Sequence, residues 1–168
     1  MRTCRGDRLS NRGCGVRGGQ DAISLIKADH LQVENLFAQF EQAGGQASRQ
    51  EALAQQIFQA LEVHAQLEEE MFYPVVRSKV YDDGDALVEE SLQEHQAVKG
   101  LIRKLQGLTP RDPEYTQVFQ ELMDNVREHV EKEESEMLVD TEEQLGDQLE
   151  RLGAGMQRRK QELMGTTR

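Results

Sequence analysis

The sequence predicts an all-α protein: an up-down-up-down four-helix bundle, with a short C-terminal fifth helix and a disordered N-terminal tail. Three observations carry that prediction. From Asp21 onward apolar residues recur at steps of three and four, the period of one helix face. A shift of 65 residues lays one predicted helical hairpin over a second without a gap. The segments between the periodic runs are short and hold Gly-Gly, Asp-Gly and Pro clusters, which favours antiparallel neighbours.

Taken in order, residues 1–19 form a basic tail, with five arginines against one aspartate and five glycines. So little apolar surface cannot offset the entropy of ordering, so the tail is expected to be disordered. Cys4 and Cys14 lie within it at a spacing that fits no zinc motif, and they read as idle thiols. The bundle is expected over residues 20–140. Its first helix spans 21–42 and stops at Gly44-Gly45. The second starts near Ser48, an N-cap candidate with Glu51 three residues on, and runs to residue 81, with Pro74 kinking it or ending it early. The third follows the Asp82-Asp83-Gly84-Asp85 turn and closes on Gly107. The fourth is capped by Asp112 with Pro113 at its first position and extends to Leu138. Residues 141–168 hold the last amphipathic helix and a tail; Thr141 with Gln144 signals its start. Its stripe of Leu145, Leu149, Leu152, Met156 and Leu163 reads as a cap on the bundle rather than a dimer surface, and the basic run Arg158-Arg159-Lys160 near its end suits the helix dipole.

Composition narrows the function classes. The formal net charge is −11, which disfavours nucleic acid and anionic membranes as partners. No apolar run approaches the ~18 residues that span a bilayer. The arginines of the tail are followed by no apolar stretch, so no secretory signal is read and the expected location is cytoplasmic. A monomer or a weak homodimer is expected.

The repeat carries the chemistry. It sets Asp29-His30 on Glu94-His95 and His64 on His129, then Glu68-Glu69 on Glu133-Glu134. The predicted seams run Ile23, Ile26, His30, Val33, Phe37, Phe40 in the first helix and Ile57, Leu61, His64, Glu68, Met71, Val75 in the second. In the third and fourth they run Val88, Ser91, His95, Val98, Ile102, Leu105 and Phe119, Leu122, Val126, His129, Glu133. All four histidines and two glutamates thus take positions that apolar residues normally fill. Burying unpaired carboxylates costs several kcal/mol, and a bound cation removes that cost. His64 with Glu68, and His129 with Glu133, stand four apart and project from one helix face. Two carboxylates bridging two metals, with two imidazoles on each, satisfy all six side chains. Imidazole and carboxylate suit iron, zinc or manganese alike.

At Asp29-His30, His64-x3-Glu68-Glu69 with Tyr73-Pro74, Glu94-His95 and His129-x3-Glu133-Glu134, the sequence resembles the hemerythrin-like HHE domains. The resemblance covers residues 21–164. It implies a non-haem di-iron centre bridged by two carboxylates and an oxo or hydroxo species. It assigns His30, His64, His95 and His129 as terminal ligands and Glu68 and Glu133 as bridges. Oxygen-carrying hemerythrins use five histidines, whereas here the position four after His95 is Lys99 and the last motif is His129-x3-Glu133. The missing imidazole tilts the reading from oxygen carriage toward binding or sensing O2, peroxide or NO. A peroxide-consuming, catalase-like enzyme and a metal-stabilised interaction module are the alternatives. Glu34, four after His30, is either a donor to the site or a solvated charge. Tyr73 is either a wall of the pocket or a residue of the bundle end. Asp29, Glu69, Glu94 and Glu134 read as solvated, or as partners of the imidazoles.

Overall fold

The computed structural model describes residues 20–81 and 85–165, and every regular element among them is helical. The predicted tail, with Cys4 and Cys14, and the turn at 82–84 lie outside the described residues.

Helix α1, Ala22–Gln42, opens on Asp21, whose carboxylate accepts from the Ser24 N–H at 2.8 Å. It ends where predicted, with Gly45 at φ +80° carrying the chain round. Helix α2 spans Ala47–Leu67. Its cap position is Gln46, with no side-chain cap bond, so the Ser48 cap expected from the sequence is not formed. A π-helical turn, Glu68–Phe72, joins α2 to α3, Tyr73–Lys79. Helix α4 is Asp85–Gln106 and α5 is Tyr115–Lys132. A second π turn, Glu133–Met137, leads into α6, Leu138–Leu145, and Gly146 at φ +45° separates it from α7, Gln148–Gly165.

Three predicted boundaries move. Asp112 accepts from the Thr109 N–H at 2.6 Å and from its hydroxyl at 2.9 Å, so it pins the connector instead of capping α5. Thr141 starts no helix: it is wholly buried within α6, and its hydroxyl oxygen has no hydrogen-bond partner. The fourth arm therefore runs on to Leu145, and the last helix starts at Gln148.

The predicted seams of α1, α4 and α5 are buried throughout. In the second arm the seam holds to Glu68 and then slips by one residue. Phe72 and Val76 are buried in place of the expected Met71 and Val75. The π turn inserts one residue into the repeat and rotates the rest of the arm by about 100°.

Helix α1 packs on α2, and α4 on α5, so the two halves of the repeat are the two hairpins. Helix α7 lies across α1 and α2. Its Gly153 comes so close that a Cβ there would stand 2.4 Å from the Gln20 carbonyl oxygen. Met156 of α7 is fully buried, as expected of a cap. The apolar interior falls into two clusters, one around Phe37, Ile57, Ile102 and Phe119, the other around Ile26, Phe72, Val76 and Met137. The histidines and glutamates lie between them along the helices.

Candidate metal centre

Each of the four main arms delivers one imidazole to the polar layer: His30 from α1, His64 from α2, His95 from α4 and His129 from α5. Glu68 and Glu133 each open a π turn, one helical turn beyond His64 and His129. All six are buried, Glu68 completely. The structure therefore brings together every predicted site residue.

The Nε2 atoms face inward. His30 Nε2 is 3.3 Å from Glu133 Oε2, and His64 Nε2 is 3.2 Å from Glu68 Oε1. His95 Nε2 lies 3.3 Å from Glu68 Oε2 and 3.3 Å from His129 Nε2. The imidazoles pair alike in both hairpins, His30 with His64 and His95 with His129, each at 4.8 Å between ring centres. Four buried atoms of this layer have no hydrogen-bond partner: His30 Nε2, His64 Nε2, Glu68 Oε1 and Glu133 Oε2. Orphaned buried polar atoms are rare because each costs free energy. Here they converge on one point, which is the arrangement a cation satisfies. Donor atoms of His30, His64, Glu68 and Glu133 lie within 4.8 Å of one another, as do those of Glu68, His95 and His129. Glu68 belongs to both sets.

The outer nitrogens are held by carboxylates that obey the same 65-residue repeat. His30 Nδ1–H donates to Glu134 at 2.8 Å, and His95 Nδ1–H donates to Glu69 at 2.9 Å. Both bonds cross between hairpins. Within each hairpin, His129 Nδ1–H donates to Glu94 at 2.8 Å, while His64 Nδ1 stands 3.7 Å from Asp29. Holding Nδ1–H against a carboxylate fixes the tautomer and leaves Nε2 as the donor to a metal. Three of the outer carboxylates, whose role the sequence left open, thus accept from the imidazoles, and the fourth, Asp29, faces His64 at ion-pair distance.

Electrostatics follow from this layout. The His30 and His95 pKa values rise to about 9: burial opposes the charged form, but Glu133 beside His30 and Glu68 beside His95 outweigh it. Glu68 is held well below the usual carboxylate range, because His64 and His95 overcome its burial. Asp29 is also lowered against burial, by His64 and Lys160.

Tyr73 resolves toward the site. Its phenol oxygen is 3.0 Å from Glu68, 3.2 Å from Glu133 and 3.3 Å from His95 Nε2. Burial, then the two glutamates, raises its pKa well above normal. Glu34 turns away from the site. It takes two bonds from Arg127, at 2.8 and 3.1 Å, and the Arg127 guanidinium lies over the Phe37 ring. Lys99 donates to Glu69 at 2.7 Å, outside the imidazole. Lys160 of α7, expected only to complement the helix dipole, is ion-paired with Asp29. No spacing signal links residues 29 and 160, so only the docking of α7 reveals that contact.

On the other side of the imidazoles is a cavity of about 30 Å³, walled by Val33, Leu61, Ala65, Val98, Ile102 and Val126. That is room for one water-sized molecule.

A family model described as the hemerythrin HHE cation binding domain matches residues 21–139. Over 132 residues the chain is 33% identical to a DNA nickase of Nostoc sp. strain PCC 7120, covering 76% of this chain and 36% of the nickase. Over 85 residues it is 26% identical to a hemerythrin-like protein of Schizosaccharomyces pombe, covering 51% of this chain and 42% of that protein. The chain therefore spans less than half the length of either relative. A crystal structure of a hemerythrin HHE cation binding domain-containing protein from Mycobacterium kansasii shares the fold, with a TM-score of 0.77 at 21% identity. The match covers 88% of this chain and 89% of that one. With the family match running through all four arms, the chain belongs to the hemerythrin HHE cation-binding domain family.

Proposed function

We propose that the chain holds two metal ions, iron for preference, and uses them to bind or sense a small molecule of the O2, peroxide or NO class. One observation carries this reading: inward Nε2 atoms and two buried carboxylates converge with four of their atoms orphaned. His30 and His64 hold one ion, His95 and His129 the other. Glu68 and Glu133 would be shared between the two ions and balance their charge. Iron bound there would supply Lewis acidity and redox reactivity toward small oxidants. The cavity of about 30 Å³ supports a small ligand, because its valine, leucine and isoleucine walls exclude anything much larger.

Tyr73 supports the peroxide-consuming alternative. Its phenol oxygen, 3.0 Å from Glu68 and 3.2 Å from Glu133, keeps a proton that those carboxylates could draw on in a peroxide reaction. DNA nicking is the named activity of a relative of which the chain spans 36%, and the charge of −11 weighs against a phosphate backbone as partner here.

The test is elemental analysis with an optical spectrum on aerobically purified protein, beside Glu68→Ala and Glu133→Ala. Two irons per chain, lost in both variants, and a spectrum that changes with azide, peroxide or NO are expected. Steady oxygen evolution from peroxide would assign the enzyme. One metal or none, with thermal stability untouched by chelation, would sink the metal reading. Relaxation of supercoiled plasmid that depends on Glu68 would move the function to DNA.

A further inference from the structure

We propose that α7 completes one half of the metal site: Lys160, acting through Asp29, is a positioning residue for His64. The proposal rests on the two-metal reading and concerns why its two halves differ.

In the second hairpin the carboxylates behind the imidazoles are anchored from inside the repeat. Lys99 of α4 donates to Glu69 at 2.7 and 2.8 Å, and Lys132 of α5 donates to Glu94 at 2.8 Å. Shifting these lysines back by 65 residues lands on Glu34 and Leu67. Glu34 is paired with Arg127, and Leu67 is buried in the apolar cluster beside the site. The first hairpin thus lacks both internal lysines. Asp29 is also one methylene shorter than its counterpart Glu94, and it stands 3.7 Å from His64 Nδ1 where Glu94 reaches His129 at 2.8 Å. His64 is therefore the imidazole whose outer partner most depends on being held in place.

Lys160 holds it. The side chain reaches Asp29 from a helix that has no counterpart in the repeat. Three further contacts fix α7 in that position. Gly153 lies against the backbone of residues 20–22, Met156 is fully buried, and Arg159 donates to Glu70 of the first π turn at 2.8 and 3.2 Å. The lysine the repeat lost at position 67 is replaced from outside it. A group that orients a ligating imidazole sets metal affinity, so the His30–His64 position depends on α7 and the His95–His129 position does not.

The experiment is a Co(II) titration of metal-free, full-length wild type, Lys160→Gln and Lys160→Arg, read by visible absorption and by the paramagnetically shifted imidazole N–H signals. Expected is two ions in wild type, and one position weakened by about ten- to hundredfold in Lys160→Gln. One of the four N–H signals should broaden by exchange with water, and Lys160→Arg should restore both. Thermal melts of the metal-free variants separate this from misfolding. Two unweakened positions in Lys160→Gln would overturn the proposal, and so would equal loss at both positions. A wild type that binds no cobalt would remove the metal reading itself.

Discussion

Three imidazoles of the layer have Nδ1 hydrogen-bonded to an outer carboxylate, and in His30 and His95 the inward nitrogen has a close partner of its own. In the metal-free protein that partner is a glutamate, and the pKa values of His30 and His95 rise to about 9. Values raised above the ordinary 6.5 stabilise the fold fully below pH 6.5, and the contribution is lost as pH rises through 9. Each is worth on the order of 3 kcal/mol, not additively, since they face the same carboxylates. Glu68, held low, adds stability above the ordinary carboxylate range that is lost on acidification. Urea denaturation in chelator should therefore show metal-free stability falling from pH 6.5 to 9 and again toward acid. Metal must displace those protons, so its apparent affinity should rise over the same interval, measurable by titration at fixed pH values. Tyr73→Phe should leave the metal count unchanged while lowering metal-free stability by about 1–3 kcal/mol, since Glu68 and Glu133 lose the one phenolic proton they share. Denaturation curves beside metal analysis check both halves of that statement.

The π turns are the elements that aim the site. Both start at a buried glutamate of the polar layer, Glu68 or Glu133, and both close with an N–H returning five residues to that glutamate's carbonyl, from Tyr73 in one and Leu138 in the other. Pro74 does not cause the first, because Val139 occupies the matching place in the second. The inserted residue rotates the next segment, bringing Tyr73 beneath Glu68 and placing Phe72 and Val76 in the core. Deleting Glu70 should restore an α-helical register that keeps Tyr73 on its present face but removes the π turn that opens at Glu68. Circular dichroism should then show unchanged helix content while metal binding is lost. Full metal binding by the deletion would show that the π turn is dispensable.

At the scale of the molecule, a polar layer separates two apolar clusters, and a metal held only by the folded layer would stabilise the fold by mass action. Metal removal should therefore destabilise the whole bundle. At a free metal concentration near a thousand times Kd the linkage is about 4 kcal/mol. That corresponds to a melting point lower by roughly 10 °C for a chain of this size. Calorimetry with and without chelator measures it, and equal melting points would mean the layer holds no metal. Among the described residues no helix is long and apolar enough to cross a membrane.

Local periodicity and the repeat were sufficient for the bundle and for the convergence of His30, His64, Glu68, His95, His129 and Glu133. A seam position dictates which side of a helix faces inward, and polar residues there must meet one another. Asp29, Glu69, Glu94 and Glu134 were visible as matched carboxylates, but their pairing was not, since two of the bonds cross between hairpins. The slip of the seam after Glu68, the inward turn of Tyr73 and the reach of Lys160 were decided only by the tertiary structure. A π turn has no distinct local propensity, so packing selects it, and a contact from α7 to α1 depends on how closely two backbones approach at Gly153. Periodicity determines what a helix buries; the neighbour that receives it is chosen by the assembled fold.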